Sequence, residues 1–380
     1  MAPESPSRII GIISFFNVAG APQALMRVAR QLRARGHDME IWFLYRKAEI
    51  DLDHDHVRVF IDKARPSVVD YALLPFRLVK ALRVAKPTAV LSFLPLGNVM
   101  GQAAAALAGV PNRVASQRSP GTSYGRVMRF ADRIAGTFPI YRTNICVSDV
   151  VRQSFRDYAQ SYRRKLRVVH NGIEWRASPS SRSQARSALG LPEDRFLFVA
   201  LGRVDTQKNY GLLIDAMVGS GDALLAIAGD GPLMDEMRSR AKDLGVEARV
   251  IFLGALGRPQ IADLLRAAEA FVQSSLFEGQ SNSVLEAMHA GLPMILSDIP
   301  EQRETIVDQE TGKEAGLLVP LGDVRGWRTA LKRVATEAEL RTKLGERAHE
   351  LVNRQFTLEK MIDGFEAALT ERNPEPSHAG

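Results

Sequence analysis

Two glutamates eight positions apart, Glu278 and Glu286, bracket small polar residues in the stretch FEGQSNSVLEAM (277–288). Ser283-Val284-Leu285-Glu286 reads as a capping box, in which the serine oxygen accepts from an orphan backbone N–H and the glutamate reaches back. A helix is therefore predicted to start near Val284. It should end soon, because Gly291 suits the left-handed residue past a helix end and Pro293 cannot continue the turn. The N–H groups at the start of so short a helix, beside Ser281, Asn282 and Ser283, can receive an anion. Glu278 would stand just before that anion. The spacing is equally satisfied if Glu286 only caps and Glu278 is solvated.

Other groups able to do chemistry follow apolar runs that read as strands. After 198–201 comes GRVDTQKN (202–209), with Arg203 and Lys208 on one loop; after 225–228 comes Gly229-Asp230-Gly231-Pro232, a turn that permits close approach to backbone. His170-Asn171-Gly172 closes another run, and FFNVAGAP (15–22) joins strand to helix through Gly20, with Pro22 suited to a first helical turn. Two cations, a helix N-terminus and close glycine backbone describe a diphosphate site, and a carboxylate on either side suits sugar hydroxyls. G-x-G-x-x-G is absent after the first strand of either half, and no Walker A loop occurs, so a dinucleotide site of the usual kind is excluded.

The elements that would hold these groups alternate throughout. Strands are predicted at 9–16, 39–44, 89–93, 113–115, 144–147 and 166–170, with amphipathic helices between them such as 22–35, closed by Gly36. After a turn-rich stretch at 175–183 the series repeats, with strands at 196–201, 223–228, 250–253, 270–273, 294–297 and 316–319. This is the pattern of doubly wound parallel sheets. It predicts two Rossmann-like domains hinged near 171–185, with residues 373–380 a disordered tail. In such sheets ligands bind outside the carboxyl ends of the strands, which is where the loops above fall.

At 380 residues the chain exceeds the size at which single cores stop growing, and 46% hydrophobic with 24% charged residues is ordinary globular composition. A lone cysteine, Cys146, excludes an intramolecular disulfide framework and suits a reducing compartment. Residues 9–16 resemble the apolar run of a signal peptide, but Glu4 and the β-branched run 9–13 favour a buried first strand. The uncharged stretch 87–112 could span a bilayer by length, yet Pro95, Gly97, Asn98 and Gln102 divide it into strand, loop and helix. Residues 1–170 hold 26 Lys and Arg against 12 Asp and Glu, the remainder 24 against 31. A basic first half implies an anionic partner. In 73–86, Leu74, Leu78 and Leu82 follow helical spacing while Arg77, Lys80 and Arg83 project elsewhere, as in a helix on an anionic bilayer or an ordinary packed helix with a solvated face. No nucleic-acid-binding motif accompanies the charge.

In order and spacing these motifs resemble glycosyltransferase family 4, retaining enzymes of the GT-B fold, whose two Rossmann-like domains face a central cleft. The likeness runs through Gly20, VHNGIE (169–174), GRVDTQKN, AGDGP (228–232) and the E-x7-E pair Glu278 and Glu286. It implies a first domain of residues 1–172 completed by a terminal helix at 356–372, and a nucleotide-sugar domain of 173–355. Arg203 and Lys208 would bind the donor diphosphate and stabilise the leaving group, aided by N–H groups of Ser281, Asn282 and Ser283. Glu286 would hold the ribose, Glu278 the transferred sugar, and Gly20, Asn171, Gly229 and Gly231 would line the donor. Two departures stand out: the first loop keeps one glycine and loses the family's Glu-Arg pair, and ASQRSPGT (115–122) lacks the usual histidine. Arg118 is the one ionisable residue there, on the sugar or acceptor side.

The implied reaction transfers a sugar, from a UDP-sugar or alternatively GDP-mannose, to a lipid-linked or glycan acceptor in polysaccharide, lipopolysaccharide or glycolipid biosynthesis. No cofactor and no metal are expected, since Arg203 and Lys208 neutralise the diphosphate and no Asp-x-Asp motif occurs. The expected location is cytoplasmic, peripheral on the inner face of the plasma membrane. An epimerase or hydrolase of the same fold, and a catalytically silent nucleotide-sugar-binding partner, are the alternatives.

Overall fold

The computed structural model of the protein describes residues 6–15, 20–46 and 56–371. The expected disordered tail at 373–380 and positions 16–19 of the first loop lie outside the described residues. The chain forms two compact units: one takes residues up to Asn171 together with those from Glu359 onward, and the other is Gly172–Leu358.

In unit 1 the strands are β1 (Arg8–Phe15), β2 (Asp38–Tyr45), β3 (Val57–Ile61), β4 (Ala89–Phe93), β5 (Asn112–Gln117), β6 (Thr143–Cys146) and β7 (Leu166–Val168). They form one sheet in the order β3-β2-β1-β4-β5-β6-β7, with every pairing parallel. Unit 2 holds β8 (Leu197–Leu201), β9 (Leu224–Ala228), β10 (Val250–Gly254), β11 (Ala270–Gln273), β12 (Met294–Ser297) and β13 (Leu317–Val319), ordered β10-β9-β8-β11-β12-β13 and again all parallel. Parallel sheets are covered by helices on both faces, so central strands are apolar without alternation; AVLSF, LFVAL and LLAIA are buried at every position. Strand β3 is the one that the sequence reading missed. It is a partly exposed edge strand broken by Arg58, whose guanidinium lies over the rings of Trp42 and Phe60.

The helix Val68–Ala85 decides between the two readings of its leucine stripe. Ser67 and Asp70 form a capping box at its start, and Leu74, Leu78 and Leu82 are fully buried in the core of unit 1. The leucine stripe therefore packs on the sheet and is not a bilayer face. The uncharged stretch 87–112 divides as read, into β4, a π-helical turn Gly97–Gly101 and the helix Gln102–Leu107. Among the described residues no helix is long and apolar enough to cross a membrane.

Helix Leu358–Thr370 packs onto unit 1 through Phe365, 5.8 Å from Phe93, and through Glu366. Buried His37 accepts from the Ser7 N–H at Nδ1, so its Nε2–H donates to Glu366 Oε1 at 2.9 Å, and Arg35 pairs with both Glu366 and Asp363. Burial raises the Glu366 carboxyl, but bonds from His37 and Arg35 outweigh it and hold the group below its ordinary value. A depressed carboxyl contributes stability that is present above its unfolded pKa, about 4.3, and lost as pH falls through the folded value. We expect Glu366→Gln to destabilise the protein by about 1–3 kcal/mol at pH 7. Denaturant titrations at stepped pH should show the difference from wild type shrinking below about pH 4.3; a difference that persists at pH 3 excludes this role.

Candidate active site

In unit 2 the loops that carry Arg203, Lys208 and Glu278 leave the carboxyl ends of β8 and β11. These strands are neighbours in the sheet, and here the strand order reverses, the position at which doubly wound sheets bind ligands. Beyond β8, Gly202 takes a left-handed φ of 142° and Asn209 one of 51° before the helix Tyr210–Met217. Side chains stitch the two loops together. Ser274 Oγ donates to the carbonyls of Lys208 or Asn209, each at 2.9 Å, the Leu276 N–H donates to the Gln207 carbonyl, and Gln207 Nε2 donates to the Phe277 carbonyl.

At their junction Lys208 Nζ lies 2.7 Å from Glu278 Oε1, both side chains being largely buried. The same oxygen accepts from Ser275 Oγ at 2.7 Å and Gln273 Nε2 at 3.2 Å, and Oε2 from Gln207 Nε2 at 3.3 Å. Lys208, expected at the donor diphosphate, and Glu278, expected at the transferred sugar, are thus a direct ion pair. Arg203 differs: its side chain is 62% exposed, with Asp205 at 3.8 Å.

The helix after β11 spans Asn282–His289 and is capped by Ser281, whose Oγ accepts from the Val284 N–H. This corrects the expected cap at Ser283. Ser283 lies inside the first turn and donates to Gln273 Oε1 at 2.9 Å, as Ser281 does at 3.0 Å. Val284 holds the capping-box position, so Glu286 sits half-buried further along the helix. Gly291 closes the helix with φ 68°. Gln273 links Glu278 to the helix N-terminus, a role that a single polar residue at the end of an apolar strand did not announce. Glu301, at the start of the helix Pro300–Ile306, is a second carboxyl near Glu278. Burial raises it, and the backbone N–H groups of Glu301 and Glu278 partly offset this. No sequence signal marked it.

Gly229 and Gly231 pack against the first loop. A Cβ at Gly229, where φ is 149°, would meet the Gly202 carbonyl at 1.9 Å, and one at Gly231 the Val204 carbonyl at 2.3 Å. Of the remaining candidates, Gly20 opens the helix Gly20–Ala34, and Asn171, in unit 1, accepts from Arg118. No group of three His, Cys, Asp or Glu suited to a metal ion occurs among the described residues.

Comparison with known proteins bears on the fold and the family. The solved structure of Anabaena Alr3699/HepE in complex with UDP and glucose has a TM-score of 0.82 at 20% identity, over 96% of this chain and 99% of that one. WaaG, a glycosyltransferase involved in lipopolysaccharide biosynthesis, has a TM-score of 0.74 at 18% identity, over 96% and 100%. The architecture is that of the GT-B glycosyltransferases. A model described as Glycosyltransferase Family 4 matches residues 18–175, and one described as Glycosyl transferases group 1 matches residues 181–351. The chain belongs to glycosyltransferase family 4. The lipopolysaccharide core biosynthesis glycosyltransferase LpsE of Rhizobium meliloti (strain 1021) is 29% identical over 211 residues, 56% of this chain and 59% of that one. The UDP-Gal:alpha-D-GlcNAc-diphosphoundecaprenol alpha-1,3-galactosyltransferase of Escherichia coli is 29% identical over 209 residues, 52% of each. The chain thus matches a little over half the length of these two relatives.

Removing one member of a buried pair strands the other charge, which typically costs 3–5 kcal/mol, whereas an apolar replacement of both is often tolerated. Glu278→Ala should therefore destabilise the protein by about 3 kcal/mol or more. Combined with Lys208→Met, the cycle should return a coupling of about 1–3 kcal/mol in urea denaturation. Additive effects would show that the contact carries no energy.

Proposed function

We propose that the protein transfers a sugar from a nucleoside diphosphate to an acceptor hydroxyl with retention of configuration. The observation that carries this is the convergence of Arg203, the Lys208–Glu278 pair and the N-terminus of the helix Asn282–His289 at the switch point of unit 2. The bond from the sugar C1 to the diphosphate breaks while the acceptor oxygen attaches on the same face, its proton passing to the leaving phosphate. Negative charge grows on the diphosphate, where Arg203, Lys208 and the helix N–H groups stabilise it, the kind of preorganised donor set that supplies the largest catalytic term in many enzymes. With those charges in place no metal is needed. Glu286 serves the ribose and Glu278 the sugar hydroxyls. Solved relatives that hold UDP or UDP-glucose support a UDP-sugar donor. Relatives named for lipopolysaccharide core and diphosphoundecaprenol substrates support a lipid-linked acceptor.

Arg203→Ala and Lys208→Ala should each lower kcat on the order of 100-fold, with a smaller change in KM, because an interaction that strengthens in the transition state is lost from kcat. Glu286→Ala should chiefly weaken UDP binding, since ribose hydroxyls keep the same charge throughout. Calorimetric Kd values for UDP, taken alongside transfer rates, separate the two patterns; wild-type turnover by the Arg203 and Lys208 variants rejects the mechanism. Product analysis without acceptor separates a transferase from an epimerase or hydrolase.

Unit 1 supports an acceptor borne by a membrane on the cytoplasmic side. The helices Val68–Ala85 and Arg126–Thr137 connect β3 to β4 and β5 to β6, so right-handed crossovers place them on the same face of the sheet. That layer exposes Phe76 by 74%, Val84 by 77%, Val127 by 83% and Phe130 by 68%. Arg77, Lys80, Arg83, Arg126 and Arg133 lie on the same two helices. Exposed apolar side chains interspersed with cations fit the headgroup region of an anionic bilayer. Vesicles containing phosphatidylglycerol should bind the protein more strongly than neutral ones, and salt should weaken the attraction, which is screened within about 8 Å at physiological ionic strength. Phe76→Asp with Phe130→Asp should abolish co-sedimentation without lowering Tm. Equal binding to neutral vesicles, or undiminished binding by the variant, rejects the surface.

A further inference from the structure

Each cation that the proposed reaction sets against the diphosphate faces an acid in unit 2. Arg203 Nε lies 3.8 Å from Asp205 Oδ2, and Asp205 Oδ1 accepts from the Lys208 N–H at 3.3 Å, which keeps that acid on the same turn. A contact as exposed as this one adds little, so a phosphate can take Arg203 from it readily. The second contact is of another kind. Glu278 Oε1, 2.7 Å away, is the one hydrogen-bond partner of Lys208 Nζ among the described residues, and the two side chains are only 13% and 8% exposed. Solvent screens so buried a pair far less.

The two oxygens of Glu278 are unequally used. Oε1 accepts from Lys208, Ser275 and Gln273, whereas Oε2 takes a long bond of 3.3 Å from Gln207 Nε2, which also donates to the Phe277 carbonyl at 2.9 Å. A carboxylate has about four acceptor sites, so Oε2 is the oxygen with capacity for a further donor. A sugar hydroxyl is such a donor. A phosphate, ionised at neutral pH, brings only acceptor oxygens and negative charge. Glu301, itself 7% exposed, adds a second buried carboxyl that feels the charge of Glu278.

A diphosphate that approaches Lys208 must therefore compete with Glu278 for the ammonium. We propose that Glu278 makes this site select a nucleotide sugar over the free nucleoside diphosphate, because only a ligand that brings a sugar hydroxyl to Oε2 compensates the carboxylate for sharing Lys208. The proposal rests on the sugar-transfer reading and deepens it to the fate of the product. When the bond from the sugar C1 to the diphosphate has broken and the sugar leaves on the acceptor, the hydroxyl that offset Glu278 leaves with it. Carboxylate and terminal phosphate then face one ammonium, and the nucleoside diphosphate is held weakly.

The test is calorimetry on the full chain at neutral pH, with UDP, UDP-glucose and UDP-galactose titrated into wild type, Glu278→Gln, Lys208→Met and the double variant, and Tm measured for each. Glutamine keeps the size of the side chain and removes its charge. Glu278→Gln should bind UDP about tenfold more tightly than wild type, the scale of one charge-assisted hydrogen bond, and the better of the two sugar nucleotides should gain less. In the Lys208→Met background the same substitution should tighten UDP much less, since no ammonium is released. If Glu278→Gln lowers Tm too far for titration, Glu278→Asp, which draws the charge back from Lys208, should shift the UDP to sugar-nucleotide ratio in the same direction. The proposal is overturned if UDP affinity is unchanged or weakened, if the sugar nucleotide gains as much as UDP, if the gain survives Lys208→Met in full, or if wild type binds UDP and neither sugar nucleotide. Wild type that binds none of the three ligands would instead reject the UDP-sugar donor, and this inference with it.

Discussion

The contact between Lys208 and Glu278 is the constraint around which unit 2's site is arranged. Two charges withdrawn from water lose more in hydration than their attraction returns unless further hydrogen bonds complete their shells. Gln273, Ser275 and Gln207 complete the shell of Glu278, and each comes from a segment that must then hold its place: the end of β11, the turn beyond it and the loop after β8. Because Gln273 also accepts from Ser281 and Ser283, the position of the carboxylate and that of the helix N-terminus are set together. A ligand that meets the pair meets the oriented N–H groups in the same register. The buried ammonium keeps its charge compensated while Arg203, on the same loop, remains in solvent.

The glycines show how closely the supporting loops are packed. Gly202 and Val204 of the first loop lie against Gly229 and Gly231 of the second so tightly that a single methyl group would strike a carbonyl. Backbone hydrogen bonds run along the same seam, from the Gly202 N–H to the Ala228 carbonyl and from the Val204 N–H to the Asp230 carbonyl. The loop that carries both Arg203 and Lys208 is thus braced by the turn at Gly229–Gly231. At the corresponding end of unit 1 the bracing is polar and buried. Asp132, raised by burial and partly restored by the Tyr162, Gln117 and Tyr141 bonds, anchors the end of β5 from below.

Much of this was legible in the chain itself. Continuous apolar runs separated by helical stretches announced two parallel sheets, because strands covered on both faces have no polar side to display. Glycine and small polar residues after β8, β9 and β11 announced where a ligand would sit, since parallel topology brings every such loop to the same edge. Edge strand β3 escaped notice for the converse reason: half-exposed and interrupted by Arg58, it lacks the apolar continuity of its neighbours. The leucines of Val68–Ala85 have helical spacing whether they face a sheet or a bilayer. Only packing showed that they face the sheet, and that Val68, Val69, Leu73, Phe76 and Val84 are left outside.

The sequence by itself determined the family, the order of elements and the loops that carry the candidate residues, because motif spacing and hydrophobic periodicity are local properties written along one dimension. Tertiary structure decided the partnerships. Seventy positions separate Lys208 from Glu278, and only the adjacency of β8 and β11 makes them an ion pair. Ser281 rather than Ser283 caps the helix, and Gln273 at the end of β11 accepts from both hydroxyls. Arg118 and Asn171 lie far apart along the chain, and only the fold brings them into a hydrogen bond, a long-range property that no local pattern records.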